Sequence, residues 1–280
     1  MPDVIKEYFR PGSLPHMWCP GCGTGIVLQS FLRAIHHLGY RRDDVAVVGG
    51  IGCSARAVSY IDFNTVHTTH GRALAFATGI KLAKPDLQVF VIMGDGDAAA
   101  IGGNHLIHSA RRNIDLNVLV INNSVYGMTG GQCSPLTPTG SRTATSPYGS
   151  LERQLNIVNL VAAAGGTFVA RSTAYHAKLT GELIEQGVAN KGFSFIEVIS
   201  QCPTGFGRKN GPSDPAAMLQ WQKDKAVMAE KYGKLPEEEA KGKFPIGVLF
   251  RDEAPDYTDI YLGMSSRAGR GKESGGKDND

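Results

Sequence analysis

Several features are scarce in this 280-residue chain, and each scarcity excludes something. No run of about 18 apolar residues occurs, so no segment is expected to cross a membrane. The opening MPDVIKEYFRPGS carries charges and no apolar stretch. It does not read as a signal peptide, and a cytoplasmic location is expected. The formal net charge is only +3 and no Lys/Arg stripe stands out, which argues against a nucleic acid partner. Cysteine is limited to five residues. In a reducing compartment these read as ligands or free thiols rather than disulfides.

Glycine, by contrast, is plentiful at 35 residues. Much of it falls in short clusters after apolar runs: GCGTG, VVGGIGC, MGDGD, IGGN, YGMTGG and AAGG. Glycine there permits tight turns and close approach of backbone to a ligand. The apolar runs at 45–50, 88–94, 117–123, 167–170 and 193–200 have strand length. Between them lie helical patterns at 24–38, from Gly71 to the residue before Pro85, at 104–112, 150–164 and 176–189. Buried strands alternating with helices predict an α/β fold, a parallel sheet with helices on both faces. Around it, residues 1–22 read as an N-terminal arm, extended over 1–18, and 23–210 as the α/β domain. Residues 211–262 read as a C-terminal helix (215–232) and arm suited to subunit contact. Residues 263–280, rich in Gly and charge, read as a disordered tail.

Parallel sheets bind ligands at the carboxyl ends of their strands. The chemistry-bearing motifs fall there: Gly52-Cys53, Gly94-Asp95-Gly96, Asn122-Asn123 and Cys202. Asp95 and Asn123 offer hard oxygen donors suited to Mg²⁺, which completes its shell with phosphate oxygens, a carbonyl and water. The glycines let backbone N–H groups face phosphates. A turn aspartate and a strand-capping asparagine, each bonded to local backbone, is the competing reading. Cys19 and Cys22 form a C-x₂-C on a Gly/Pro turn, and Cys53 and Cys202 emerge at one sheet edge if their strands share a sheet. Four thiolates suit zinc or a 4Fe–4S cluster, and one pair plus two singles does not decide between them. Four unrelated buried cysteines is a third reading. Cys133 reads as a packing thiol.

The segments WCPGCG, GGIGCS, HGRALAFATGIK, GDGD, AIGGNH, VINNSVYGMTGGQ and CPTGFGR, in this order, resemble the beta subunit of 2-oxoacid:ferredoxin oxidoreductases, over about residues 10–255. SPYGSLE and CPTGFGRKN look most like the 2-oxoglutarate type. The resemblance implies a thiamine diphosphate-binding fold, in its diphosphate-binding domain. It implies one 4Fe–4S cluster on Cys19, Cys22, Cys53 and Cys202, and Mg²⁺ held by Asp95, Asn123 and the Val125 carbonyl. Gly52, Cys53, Ser54, His70, Gly94, Gly96, Asp97 and Tyr126 would lie along the cofactor. The implied reaction is oxidative decarboxylation of 2-oxoglutarate, with coenzyme A as co-substrate, to succinyl-CoA, or its reverse. Ferredoxin is the implied electron carrier. A separate alpha subunit would bring the pyrimidine-binding domain and the activating glutamate, in a heterodimer or a dimer of heterodimers. A pyruvate, branched-chain or aryl 2-oxoacid enzyme, a zinc-stapled non-catalytic subunit and a cluster-free synthase are the alternatives. No ferredoxin-like run of clustered cysteines is present, so any further cluster would sit on another subunit.

His70, Met128 and Thr129 are the candidates for catalysis. His67 accompanies His70 in HTTH, while His105 and His108 read as structural. A second substrate carboxylate suits a guanidinium. Arg208 and Arg56 are the foremost candidates, with Arg72 and Arg142 also available.

Overall fold

The computed structural model describes residues 4–274. In chain order its elements are α1 (Val4–Tyr8), α2 (Thr24–Leu38), β1 (Val45–Gly49), α3 (Ala57–Tyr60), β2 (Asn64–His67), α4 (Ala73–Ala83), β3 (Gln88–Gly94) and α5 (Gly103–Arg111). Then come β4 (Leu116–Asn122), a small ribbon of β5 (Val125–Tyr126) and β6 (Gln132–Cys133), α6 (Ile157–Ala164), β7 (Phe168–Thr173), α7 (Ala177–Ala189) and β8 (Phe193–Ile199). The C-terminal part adds α8 (Arg208–Asn210), α9 (Pro215–Lys225), β9 (Ala226–Met228), α10 (Ala229–Tyr232), α11 (Glu237–Ala240), β10 (Phe244–Arg251) and α12 (Tyr257–Ser274).

The main sheet runs β2-β1-β3-β4-β8-β7-β10-β9. From β2 to β7 every pairing is parallel, and β10 joins β7 antiparallel. Alternation along the central strands divides the core in two. Val45, Val47, Phe90, Ile92, Leu119 and Ile121 face α2 and α7. Ala46, Val48, Val89, Val91, Val118 and Val120 face the opposite way, into a layer with Leu74, Leu106 and Val161 of α4, α5 and α6. This is the expected α/β architecture, with helices over both faces. α2 stops where glycine allows it, Gly39 at φ +71° accepting the left-handed turn. Under β4, Lys81 is buried, its Nζ 2.8 Å from Asp115 Oδ2 and 2.9 Å from the Leu87 carbonyl. No helix among the described residues is long and apolar enough to cross a membrane.

Five expectations about elements change. The arm expected to be extended contains α1, because Val4 and Tyr8, one turn apart, both bury and Tyr8 stacks on Phe63. The helix expected from 150 begins only at Ile157, where Asn156 accepts from the Asn159 N–H. The helix expected over 215–232 breaks at Lys225, and β9 intervenes. The arm after it supplies β10, which Pro245, a positive-φ Gly247 and a bulge near Val248 disguise in the sequence. The tail expected to be disordered from 263 is helical to Ser274, continuing a helix whose start Asp256 fixes by accepting from the Thr258 and Asp259 N–H groups. Residues 275–280 of that expected tail, and 1–3 of the arm, lie outside the described residues.

Candidate functional site

Four neighbouring strands, β1, β3, β4 and β8, deliver their carboxyl-end loops to one place. Asp95 follows β3 directly and is buried. The Ser134 hydroxyl donates to its Oδ2. Burial pushes the Asp95 carboxyl up to about 7, opposed by Ser134 and the Gly96 N–H, with the charge of Glu197 adding to the rise. The two glycines beside it leave no room for a side chain. A Cβ on Gly94 would stand 2.8 Å from Ser54 Oγ, and one on Gly96 would collide with the Tyr126 ring.

β4 ends in two asparagines with separate tasks. Asn122 is buried; its Nδ2 donates to Glu197 Oε1 at 2.7 Å and its Oδ1 accepts from the Ser124 N–H at 3.0 Å. Asn123 faces the pocket, and its Oδ1 accepts from the Val125 N–H at 3.2 Å. Directly after them Ser124 takes φ +63°, a left-handed turn uncommon outside glycine. Thr137 closes the loop, its hydroxyl donating to the Ser124 carbonyl and accepting from the Ser134 N–H. The metal-ligand candidates Asp95 and Asn123 are thus tied together through the segment 134–137.

Asp97, also buried, organises the opposite wall. Its Oδ1 accepts from the Gly71 N–H and meets His70 Nδ1, and its Oδ2 accepts from the Ile51 N–H at 3.2 Å. Burial raises its carboxyl, against the pull of those donors. A Cβ on Gly50 would overlap this carboxylate, so the glycine permits the contact. The pocket enclosed is about 110 Å³ and is lined by Gly52, His70, Asp95, Asn123, Tyr126 and Thr129 among others.

The thiols gather beside it. The C-x₂-C turn closes with the Cys22 N–H on the Cys19 carbonyl at 3.0 Å. It is stitched to the end of β8 by Gly23 N–H to the Gln201 carbonyl and by Gln201 Nε2 to the Gly21 carbonyl. The arm reaches Cys53 through Trp18, whose Nε1 donates to the Cys53 carbonyl at 2.7 Å. Burial pushes the Cys53 thiol up to about 11, and the neighbouring Cys22, Cys202 and Cys19 add to the rise. Cys202, whose Sγ accepts from the Gly205 N–H, is raised by burial too. Cys53 Sγ, Cys202 Sγ and Asn123 Nδ2 all lie 3.6 Å from the point a Cβ of residue 127 would occupy, and that residue is Gly127. The thiol group and the Asp95–Asn123 pocket therefore share a wall. Among the described residues no three His, Cys, Asp or Glu side chains converge closely enough for a single metal ion. Cys133 stands apart in β6, its thiol against Ser150 Oγ at 3.5 Å.

Residues 50–198 match the thiamine pyrophosphate enzyme C-terminal, TPP-binding domain family. The chain is 51% identical over 258 residues to the 2-oxoglutarate synthase subunit KorB of Methanothermobacter marburgensis, covering 92% of this chain and 90% of that protein. It is 60% identical over 204 residues to the KorB subunit of Archaeoglobus fulgidus, covering 73% and 76%. The 2-oxoglutarate:ferredoxin oxidoreductase from Magnetococcus marinus, solved with 2-oxoglutarate, coenzyme A and succinyl-CoA bound, superposes with a TM-score of 0.83 at 34% identity, covering 95% of this chain and 90% of that one. The chain belongs to the beta-subunit family of 2-oxoacid:ferredoxin oxidoreductases.

In this beta subunit Gly52, Cys53, His70, Gly94, Asp95, Gly96, Asp97, Asn123, Val125 and Tyr126 all line one pocket, and Met128 and Thr129 stand exposed at its rim. Ser54 lies just behind Gly94. His67 is exposed at the end of β2, and His105 and His108 sit away on α5. Arg56 is half-buried and Arg208 exposed, and both lie outside the pocket lining. Arg72 reaches the Ile101 carbonyl, and the Arg142 backbone pairs with Asn210. Sequence reasoning missed Ser134, Thr137, Trp18 and the buried pair of Arg171 and Glu197. Only Glu197 carried a signal, a charge inside the apolar run FSFIEVIS.

Proposed function

We propose that the chain is the diphosphate- and cluster-binding beta subunit of a coenzyme A-acylating 2-oxoglutarate:ferredoxin oxidoreductase, working in the cytoplasm as a heterodimer, or dimer of heterodimers, with an alpha subunit. The observation that carries the reading is the wall shared at Gly127, with the Asn123 amide and the Cys53 and Cys202 sulfurs each 3.6 Å from one point. Asp95, Asn123 and the Val125 carbonyl hold Mg²⁺, hard oxygen donors for a hard ion. The donor set fits: a buried carboxylate beside a pocket-facing amide, with glycines on either side of Asp95 that make room for Ser54 and Tyr126. Cys19, Cys22, Cys53 and Cys202 form a soft, all-sulfur set of the kind that ligates a 4Fe–4S cluster. Bound thiamine diphosphate supplies a nucleophilic carbon and an electron sink for decarboxylating a 2-oxoacid, or for the reverse carboxylation.

The remaining work belongs to side chains. Asp97 fixes His70 through Nδ1, which leaves Nε2 to hold or deliver a proton in the pocket. Met128 and Thr129 border the reacting end, with Thr129 pinned by its hydrogen bond to Gln132 Oε1 at 2.7 Å. Arg56 or Arg208, or a cation of the alpha subunit, receives the second substrate carboxylate.

The test is anaerobic reconstitution with the alpha subunit, assayed with coenzyme A and ferredoxin or a viologen acceptor. 2-Oxoglutarate should be strongly preferred, and equal rates with pyruvate or branched-chain or aryl 2-oxoacids would overturn that choice. The preparation should be brown and contain about four irons per chain; a colourless protein holding zinc would overturn the cluster.

A further inference from the structure

The buried pair beneath the Asn122-Asn123 loop is absorbed by no step above. Glu197 lies mid-strand in β8, 2% exposed, and faces Arg171 of β7, whose Nε is 2.6 Å from Glu197 Oε2. Its other oxygen, Oε1, accepts from Asn122 Nδ2 at 2.7 Å. The orientation of that amide is forced. The Ser124 N–H can only donate and a carboxylate can only accept, so Asn122 must turn Oδ1 to Ser124 and Nδ2 to Glu197. A buried ion pair is a poor source of stability, because desolvating two charges offsets their attraction. Its placement, hydrogen-bonded to Asn122 next to the proposed metal ligand Asn123, suggests another use.

We propose that Glu197, held by Arg171, is a positioning residue for the cofactor's metal: it clasps Asn122, which draws Ser124 into its left-handed turn and so presents Asn123 and Val125 to the ion. Three hydrogen bonds carry the relay, from Arg171 to Glu197, from Asn122 to Glu197 and from Ser124 to Asn122. Without the clasp the Asn122 amide is free to rotate, Ser124 loses the partner that holds φ at +63°, and Asn123 loses its aim. The inference rests on the reading of Asp95, Asn123 and Val125 as the divalent-ion ligands.

Two double variants of the reconstituted complex isolate the effect. Glu197→Leu with Arg171→Met removes the pair without stranding a charge, which a buried pair tolerates. Glu197→Gln with Arg171→Met is equally uncharged but keeps a carbonyl oxygen for Asn122 Nδ2. Binding of thiamine diphosphate is titrated by calorimetry against Mg²⁺ concentration. The Leu variant should lose about 10- to 100-fold in Mg²⁺-dependent cofactor affinity, the range for lost outer-shell partners. The Gln variant should recover most of it. At saturating cofactor the KM values for 2-oxoglutarate and coenzyme A should stay at wild-type values in both, a split that general loosening of the fold would not give. Asn122→Leu, which leaves the ion pair whole, should lose the same affinity and decides the matter if the double Leu variant does not assemble. Wild-type affinity in either folded Leu variant overturns the proposal. Asp95→Asn serves as the control: if it too binds normally, the metal-ligand reading itself has failed, whereas if it alone loses binding, only the role of Glu197 has.

Discussion

Replacing Asp95 by asparagine should make the cofactor-free chain more stable in neutral and mildly alkaline solution, even as it removes the proposed ligand. The carboxyl is buried and sits at about 7 against its ordinary 3.8. A gap of roughly 3 pH units corresponds to about 4 kcal/mol. The sign follows from linkage. An acid whose pKa is raised by folding stabilises the fold below its unfolded value, and that contribution is lost as the pH climbs to the folded value. Here the loss begins near pH 4 and is complete a little above pH 7. Asparagine does not titrate, so its advantage widens across this window, from about 2 kcal/mol at pH 5 to about 4 kcal/mol at pH 8. In a chain of this size the difference in Tm between the two proteins should grow by roughly 3–5 °C over that range. Thermal unfolding of both proteins in a chelator, from pH 5 to pH 8, measures it directly, because every other titrating group is common to the two. A Tm difference that stays flat with pH would refute the reasoning. Adding Mg²⁺ and thiamine diphosphate should then stabilise the wild type and leave Asp95→Asn where it was.

Gly127→Ala places a methyl 3.6 Å from Asn123 Nδ2 and the Cys53 and Cys202 sulfurs, ordinary contact distances, so stability should change by less than about 1 kcal/mol. The electron paramagnetic resonance spectrum of the reduced protein should nevertheless change, and an unaltered spectrum would place the iron elsewhere. Cys202→Ser should strip most of the iron from purified protein while Cys133→Ser leaves it intact; equal iron in the two variants would remove the distinction drawn between these thiols. Lys81→Met removes one of the two lysines on Asp115, leaving Lys191 Nζ at 3.2 Å, and deprives the Leu87 carbonyl of its donor; it should cost about 1–3 kcal/mol on denaturant unfolding with cofactor affinity unchanged. A loss of cofactor binding there would show that the site senses global loosening.

What the sequence made legible follows from the physics of each part. Strands β1, β3, β4 and β8 are continuous apolar runs because both faces are covered, and such runs declare themselves without knowledge of their neighbours. β2 was hidden because an exposed edge strand of Asn64, Thr65, Val66 and His67 obeys no apolar pattern. β10 was hidden by Pro245, in the half of the strand that pairs only with β9, and by a bulge in the half that pairs antiparallel with β7. Residues of the site that sit on strand ends, such as Asp95 and Asn123, could be placed from spacing alone. Ser134 and Trp18 could not: each acts across a long loop closure, and nothing local in SP or MW tells which carboxylate or carbonyl it will meet. Glu197 was visible as an oddity, a charge amid Phe, Ile and Val, but its purpose depended on Arg171, 26 positions earlier, lying beside it across the β7–β8 pairing.

The convergence of loops from four adjacent strands also bears on how this chain can diverge between lineages. The gap between the oxygen donors after β3 and β4 and the sulfur donors after β1 and β8 is inherited from the amide–carbonyl ladder, whose rungs recur about every 4.8 Å from strand to strand. Exchanges among Val, Ile and Leu on either face alter volume but leave that ladder untouched. A one-residue insertion within any of the four strands would slide its loop by about 3.3 Å and invert its side chains. Strand length, more than core composition, is therefore the trait that drift must preserve.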